Sequence, residues 1–249
     1  GSSAFGASIN ILTDKIAEKS FFESSNTVGS FNTIKNNFKF STGLLNNAFE
    51  FSGRLSKIDS DGYIDRASSN LKSYFLQFSY KKNKTLLKFL NFGGHEITYQ
   101  AWNGIDLLTL ENNRTYNPSG LYFDLDGNEK FHENEVDNYK QDHFQFHWTQ
   151  SVSNNLTSSL GLNLTNGRGF YEQYNENGNE DYITRKWLDN QFFVFNYNLN
   201  YTTANNNLTF GSTYSEYDGD HFGETIWAQN SGDIQFTDLF YNGNGLKKD

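Results

Sequence analysis

Residues 141–165 read QDHFQFHWTQSVSNNLTSSLGLNLT, and their alternation decides the fold. Phe144, Phe146 and Trp148 fall on one side of an extended chain, with Gln145, His147 and Thr149 on the other. A short polar turn follows at Ser153-Asn154-Asn155. Alternation then resumes, with Leu156, Leu160, Leu162 and Leu164 facing one way and Thr157, Ser159, Asn163 and Thr165 the other. Strand side chains point to opposite faces with period two, so the stretch is a long hairpin with one apolar and one polar face. Each arm is about ten residues, the length a tilted strand needs to cross a bilayer.

The same unit recurs outward from this hairpin. Upstream, residues 21–44 form a hairpin around Val28-Gly29-Ser30-Phe31-Asn32, returning through Phe38 and Phe40. A tight turn at Asn46-Asn47 leads to a strand with Phe49, Phe51 and Leu55 on one face and Glu50, Ser52, Arg54 and Ser56 on the other. Charges at every second position are costly against lipid and natural in a wet lumen. After a polar loop with an Asp61-Gly62 turn, residues 71–80 place Tyr74, Leu76, Phe78 and Tyr80 on one face. A basic turn at residues 81–84 leads to an arm at 85–92 that is apolar on both faces except at Lys88 and Asn91, and its pattern does not orient it. Downstream, residues 190–201 put Phe193, Phe195, Tyr197, Leu199 and Tyr201 outward, and a short turn at 204–206 leads to a last arm at 208–214. A brief strand is expected at Ile9 to Leu12. Long loops are expected at 93–140 and 166–188, and a polar segment with no clear return strand from 215 to 249. About nine barrel strands result, joined alternately by short and long connections.

Composition narrows the class. The net charge of −9 argues against a general nucleic-acid binder. With no cysteine there is no disulfide framework and no Cys-based metal site. No apolar run approaches the roughly 18 residues of a transmembrane helix, and low hydropathy leaves a barrel open because only alternate residues meet lipid. A soluble sandwich with an aromatic-rich core is the competing reading, but it would show shorter strands with regularly spaced turns. Tight turns at one end and long loops at the other suit a membrane barrel. The chain lacks a start methionine and a basic-then-apolar leader, and reads as a mature protein or a piece of one. Nine strands would leave open edges in hydrocarbon, so the expected architecture is all-β, the N-terminal portion of a larger antiparallel transmembrane barrel.

The first residues carry a resemblance. Gly1-Ser-Ser-Ala4-Phe-Gly6-Ala-Ser-Ile9-Asn10-Ile11-Leu-Thr13 resembles the end of the plug domain of TonB-dependent outer-membrane receptors, which runs G-x-x-A-x-G-G-x-I-N-I-x-T-K. Here Ala7 replaces the second glycine and Asp14 precedes Lys15. Residues 29–33, 54–66, 115–120, 137–143, 167–171 and 217–224 resemble the Bacteroidota branch of that family. The resemblance implies a plug inside a barrel of about 22 strands. Residues 1–14 would then end the plug, and 15–249 would form the first strands and outer loops. It also implies bacterial outer-membrane location, ligand capture at the outer loops, and active uptake driven through the TonB complex, whose docking box is absent here. Partners would be outer-membrane lipid, the TonB complex, a small-molecule or metal-chelate ligand such as an iron–siderophore, and, where one exists, a surface lipoprotein. No cofactor is implied. A surface β-protein serving adhesion or structure without transport would show the same alternation.

Binding residues concentrate on loops, which selects His95, Tyr99 and Trp102 at the expected start of the longest loop. Tyr171 and Tyr174 are selected in an acidic aromatic loop and His221 in the last. The competing reading is an interfacial aromatic girdle for the first group and ordinary solvated loop for the rest. Asp124, Asp126, Asn128 and Glu135 match part of a calcium-loop template, but Glu129 stands where its turn glycine belongs, and Asp126-Gly127-Asn128 more simply marks a hairpin. His143 and His147 are four apart, about 13 Å on a strand, too far for one ion. No metal site is expected. The sequence shows no G-x-S-x-G, H-E-x-x-H or phosphate-loop motif, so no enzyme is expected and no catalytic residue is assigned.

Overall fold

A computed structural model describes residues 13, 15–177 and 180–229. Its elements are β1 (Phe21–Val28), β2 (Ile34–Ser41), β3 (Phe49–Ser60), β4 (Ser69–Lys82), β5 (Thr85–Tyr99), α1 (Leu107–Asn112), β6 (Leu121–Phe123), β7 (Glu129–Phe131), β8 (Val136–Ser151), β9 (Leu156–Asn175), β10 (Tyr182–Thr202) and β11 (Asn207–Ala228). One antiparallel sheet of nine strands runs β1-β2-β3-β4-β5-β8-β9-β10-β11, each strand beside its neighbour in sequence. β6 and β7 form a separate small hairpin. Among the described residues no helix is long and apolar enough to cross a membrane.

Turn chemistry closes one end of the wall. Asn46 and Asn47 take φ of 49° and 52°, and Asn83 takes 53°. Asparagine tolerates this left-handed region, which tight turns of matching twist require: the two-residue turn at 83–84 and the 46–48 turn closed by the Leu45–Phe49 bridge. In the 152–155 turn the Ser153 hydroxyl accepts from the amides of Asn155 and Leu156. Between β10 and β11, Thr203 Oγ1 accepts from Asn206 N at 3.0 Å. The other end carries the two longest connections, 61–68 and 100–135.

The register sorts the faces as the alternation predicts. Phe51 is opposite Phe78, Phe78 opposite Phe89, Phe89 opposite Phe146, Phe146 opposite Leu162, and Leu162 opposite Phe195. These rings and branched chains form an outward apolar band; Phe51 is 39% exposed and Phe89 46%. The other face carries Glu50, Gln77 and Ser79, all buried. A single-layered sheet with a bare apolar band on one side, and Glu50, Gln77 and Ser79 sheltered on the other, is the inverse of a soluble protein, and lipid is the solvent that favours it. The register also orients β5: Leu87 and Phe89 look outward, and Lys88, Leu90 and Phe92 inward.

The strands are longer than expected. β8 has 16 residues, β9 20, β10 21 and β11 22. The loops expected at 93–140 and 166–188 shrink to 100–135 and 176–181, and the polar run after 214 is β11 as far as Ala228. Beyond the apolar band the outward positions turn polar, so the hydropathy alternation stops while the hydrogen-bonded ladder continues. A 20-residue strand spans about 66 Å, against a hydrocarbon core of about 30 Å. The excess lies toward the long-loop end of the sheet. The strand expected at Ile9 to Leu12 lies outside the described residues.

Candidate functional site

The inward face is built in rungs, each strand giving one residue. One rung runs Lys39, Arg54, Phe75, Phe92, His143, Thr165, Phe192 and Tyr217 from β2 to β11. Its middle is a run of rings. Phe75 and Phe92 centroids lie 6.0 Å apart, Phe92 stacks on the His143 imidazole at 4.5 Å, and Phe192 meets Tyr217 at 6.4 Å. His143 Nδ1 and Thr165 Oγ1 share a hydrogen bond of 2.9 Å that fixes the imidazole plane. The β2 and β3 end of the rung is cationic.

Above this rung lies an open basin of about 480 Å³, lined by Ile58, Leu71, Ser73, Phe92, Glu96, Tyr139, Gln141 and His143 among others. Its floor depends on small residues. Gly94 stands opposite Ser73, and Gly167 and Gly169 make room for the Tyr139 ring. A Cβ on Gly167 would come within 2.0 Å of Tyr139 Oη, and one on Gly169 within 2.5 Å of Tyr139 Cα. The Gly167-Arg168-Gly169 run is therefore a bed for one inward tyrosine. Lower on the same face, the buried Glu50 carboxylate accepts from Ser41 Oγ at 2.8 Å and from Gln77 Nε2 at 3.4 Å. Lys88 Nζ reaches Thr13 Oγ1 at 3.4 Å, bringing the segment that precedes β1 against the inner wall.

The structure separates the residues selected from sequence. Trp102 and Tyr171 come together edge to face at 5.9 Å, with Lys186 Nζ 5.3 Å from the Tyr171 ring. Trp102 is 57% exposed, so this trio sits at the upper rim of the inner face. His221 is also inward, opposite Leu188. His95 lies on β5 rather than at the start of a loop. It borders the basin, and its imidazole bonds Asn138 Oδ1 at 2.8 Å on the opposite face.

Tyr99 and Tyr174 serve loop packing. Tyr99 is buried, and its one hydroxyl proton is shared between the carbonyls of Ser119 (3.1 Å) and His132 (2.9 Å). Burial pushes its phenol up, opposed by the Arg66 hydrogen bond and charge. Arg66 lies over the Phe131 ring at 3.6 Å and donates to the Asn117 carbonyl, tying the β3–β4 connection to the β5–β8 connection. Tyr174 stacks on Tyr122 at 4.3 Å and donates to Asp181 Oδ2 at 2.7 Å; burial first, and then Asp181, push its phenol up. The β6–β7 hairpin thus leans on outward side chains of β9, and Trp102 crosses to the inner side.

A charged knot fastens this cover. Glu172, 2% exposed, accepts from Arg185 Nε at 2.7 Å and pairs with His132 Nε2 at 2.8 Å. Burial acts to raise its carboxyl, but hydrogen bonds from Asn134, Arg185 and His132 outweigh it and leave the group below its ordinary value. Glu135 goes the other way: burial raises it, although its Oε2 accepts from Tyr174 N at 2.8 Å. In the turn between β6 and β7, Asp124 Oδ1 accepts from the amides of Asp126 and Asn128. The partial calcium template is thus the hairpin its simpler reading indicated, and Glu135 is engaged elsewhere. No group of three or more metal-ligating side chains occurs among the described residues. Sequence reasoning missed the inward basin, because Phe92 sat in an unoriented arm and Glu96 and Tyr139 in an expected loop.

No family model matches the chain, and no curated protein matches it. Solved structures do. The ferric-catecholate import receptor Fiu from E. coli K12 superposes in its closed form with a TM-score of 0.64 at 10% identity, over 94% of this chain and 36% of that one. Its open form gives 0.62 at 9% identity, over 85% and 36%. The ferric citrate transporter FecA, unliganded, gives 0.59 at 10% identity, over 87% and 31%. The chain therefore spans about a third of the length of these structures. At such identity the likeness is one of fold.

Proposed function

We propose, from a wall that shares the fold of TonB-dependent receptor barrels, that the chain is part of an outer-membrane receptor. It would take up a scarce nutrient with energy delivered through TonB. The observation that carries this reading is the two-sided wall, with an outward apolar band and an inward face of rings, amides and charges that superposes on an import receptor. The approach of Thr13 to Lys88 supports a segment inside the barrel before β1, as a plug would require. An iron chelate is the ligand class we favour. The neighbours are ferric-catecholate and ferric citrate proteins. The inward rung also joins rings to the cations Lys39 and Arg54, which suits an anionic, ring-bearing chelate. The basin and the Trp102, Tyr171 and Lys186 rim are the contact surfaces of choice.

The test has two parts. The full-length protein should leave the cell envelope only with detergent, and cells bearing it should accumulate a ferric chelate in a proton-motive-force-dependent way. H143A with Y139A should lower uptake of the chelate while the barrel still assembles. A full-length protein that stays soluble without detergent sinks the membrane reading. An envelope protein that supports attachment but no uptake favours the adhesive alternative.

A further inference from the structure

Tyr171 and Glu172 are chain neighbours on β9, so their side chains leave the wall on opposite faces. Tyr171 looks inward, to Trp102 and Lys186. Glu172 looks outward, into the knot with Arg185 and His132. The connection 100–135 therefore touches both faces of the wall at one height. It sends Trp102 to the inner rim and keeps His132 and Glu135 outside.

The two faces are joined through the backbone of β9. β8 pairs with β9 as far as Asp137 and Tyr171. Above that pair β8 ends, and β9 turns a backbone edge toward the connection. Side chains of the connection take the place of the ladder there. Gln100 Nε2 donates to the carbonyls of Glu172 at 2.8 Å and Val136 at 3.2 Å, and Glu135 Oε2 accepts from Tyr174 N at 2.8 Å. Gln100 N also donates to the Glu135 carbonyl at 2.8 Å. Asn117 Nδ2 donates to the Gln100 carbonyl at 2.8 Å, and Asn103 Nδ2 to Ser119 Oγ at 3.1 Å. Trp102 is thus flanked by fastened residues on both sides in the chain, while it is itself more than half exposed. An edge-to-face contact such as that with Tyr171 is worth no more than the ordering of about one loop residue costs. What keeps the ring on the rim is the grip on Gln100 and Asn103.

We infer that the outward contacts of His132 and Glu135 are the positioning device for Trp102, so that the hold on a ligand at the inner rim is set from the outer flank of the wall. This rests on the reading of that rim as a contact surface for an imported ligand. Arg185 belongs to the wall and lies over the Phe170 ring at 4.5 Å, so its pair with Glu172 does not depend on the connection. His132 and Glu135 are the connection's own contribution, meeting Glu172 Oε1 and Tyr174 N. With both removed, Trp102 leaves the rim for part of the time, and apparent affinity falls by the fraction lost.

The experiment labels the full-length protein with fluorotryptophan and follows the Trp102 fluorine resonance, assigned by its loss in W102F. Y171A gives the position of that resonance without the ring contact. H132A with E135A should move it most of the way to the Y171A position with no ligand present. K130Q, an exposed change on β7, should leave it in place. In binding of a ferric tris-catecholate complex, H132A with E135A should weaken affinity by about fivefold, the scale of one lost aromatic contact. W102A should weaken it by the same factor, and the three changes together no more than W102A alone. If heat-dependent gel mobility shows that the pair fails to form a barrel, H132Q alone takes its place in each comparison. An unmoved Trp102 resonance, or a loss of affinity that adds to that of W102A, overturns the inference and leaves the uptake reading standing. A moved resonance in a protein that binds no ferric chelate upholds the positioning and sinks the chelate reading.

Discussion

Phe195 and Asn196 are chain neighbours on β10 with opposite expected surroundings, and lysine at each separates lipid from lumen. Phe195 lies between Leu162 of β9 and Tyr214 of β11 on the outward face. Asn196 lies between Gly161 and Thr213 on the inward face and accepts from Thr213 Oγ1 at 2.8 Å. Outward apolar residues of β10 run from Phe193 to Tyr201, so Phe195 sits two residues from the middle of the band. A lysine at the midplane of a barrel's lipid face costs about 2–4 kcal/mol, less toward the interfaces, so about 2 kcal/mol applies here. Loss of the apolar ring adds about 1–2 kcal/mol. The sum of about 3–4 kcal/mol lowers the folding equilibrium on the order of several hundredfold. Asn196→Lys loses one hydrogen bond, about 1 kcal/mol, and places its charge in water. The assay is urea titration of the full-length barrel in vesicles, followed by heat-dependent gel mobility. A difference under 1 kcal/mol between the two variants, or a larger loss from Asn196→Lys, refutes the assignment of faces on which the membrane reading stands.

Three further outcomes follow from the same geometry. Gly169→Val should cost about 1–3 kcal/mol in that titration, because its Cβ would meet Asn138 O at 2.2 Å; Gly211→Ala, which meets only Asn198 Oδ1 at 3.1 Å, should be near neutral. Arg66→Ala should speed protease cleavage within residues 100–135 while leaving barrel mobility on gels unchanged, since Arg66 links two loops through Phe131, Tyr99 and Asn117. Glu172 should make the loop cover acid-labile. Its folded carboxyl lies below the ordinary value of 4.5, so its contribution is complete above that pH and is lost as pH falls through the folded value. The protection factors of residues 129–136 against hydrogen exchange should therefore fall on acidification, and E172Q should flatten the change; Glu135, raised by burial, works in the opposite direction and is common to both proteins.

Much of the wall was legible in the sequence because lipid imposes a simple rule there: rings and leucines at alternate positions, as in Phe144, Phe146 and Trp148. The turns were legible too, since Asn46-Asn47 and Asn83 suit a left-handed backbone. Legibility failed where lipid stopped. Above the band, Asp142, Asn166 and Asp189 replace apolar residues, so β8–β11 looked like loops although their ladders run on. The candidate site suffered for the same reason. Tyr99 looked like a free aromatic in a long loop, and is the pin of a folded cover. Tyr139 and Glu96 gained their place only from the register that sets them opposite one another.

The leaning of the β6–β7 hairpin against Glu172 and Tyr174 bears on what meets the outside world first. The longest connection of this stretch, with Leu107, Leu108 and Leu125 uncovered, is hung on the flank of the wall, like an awning fixed beside a doorway. On the membrane reading proposed above, a protease arriving from the medium would strike that awning before it reached the inward face.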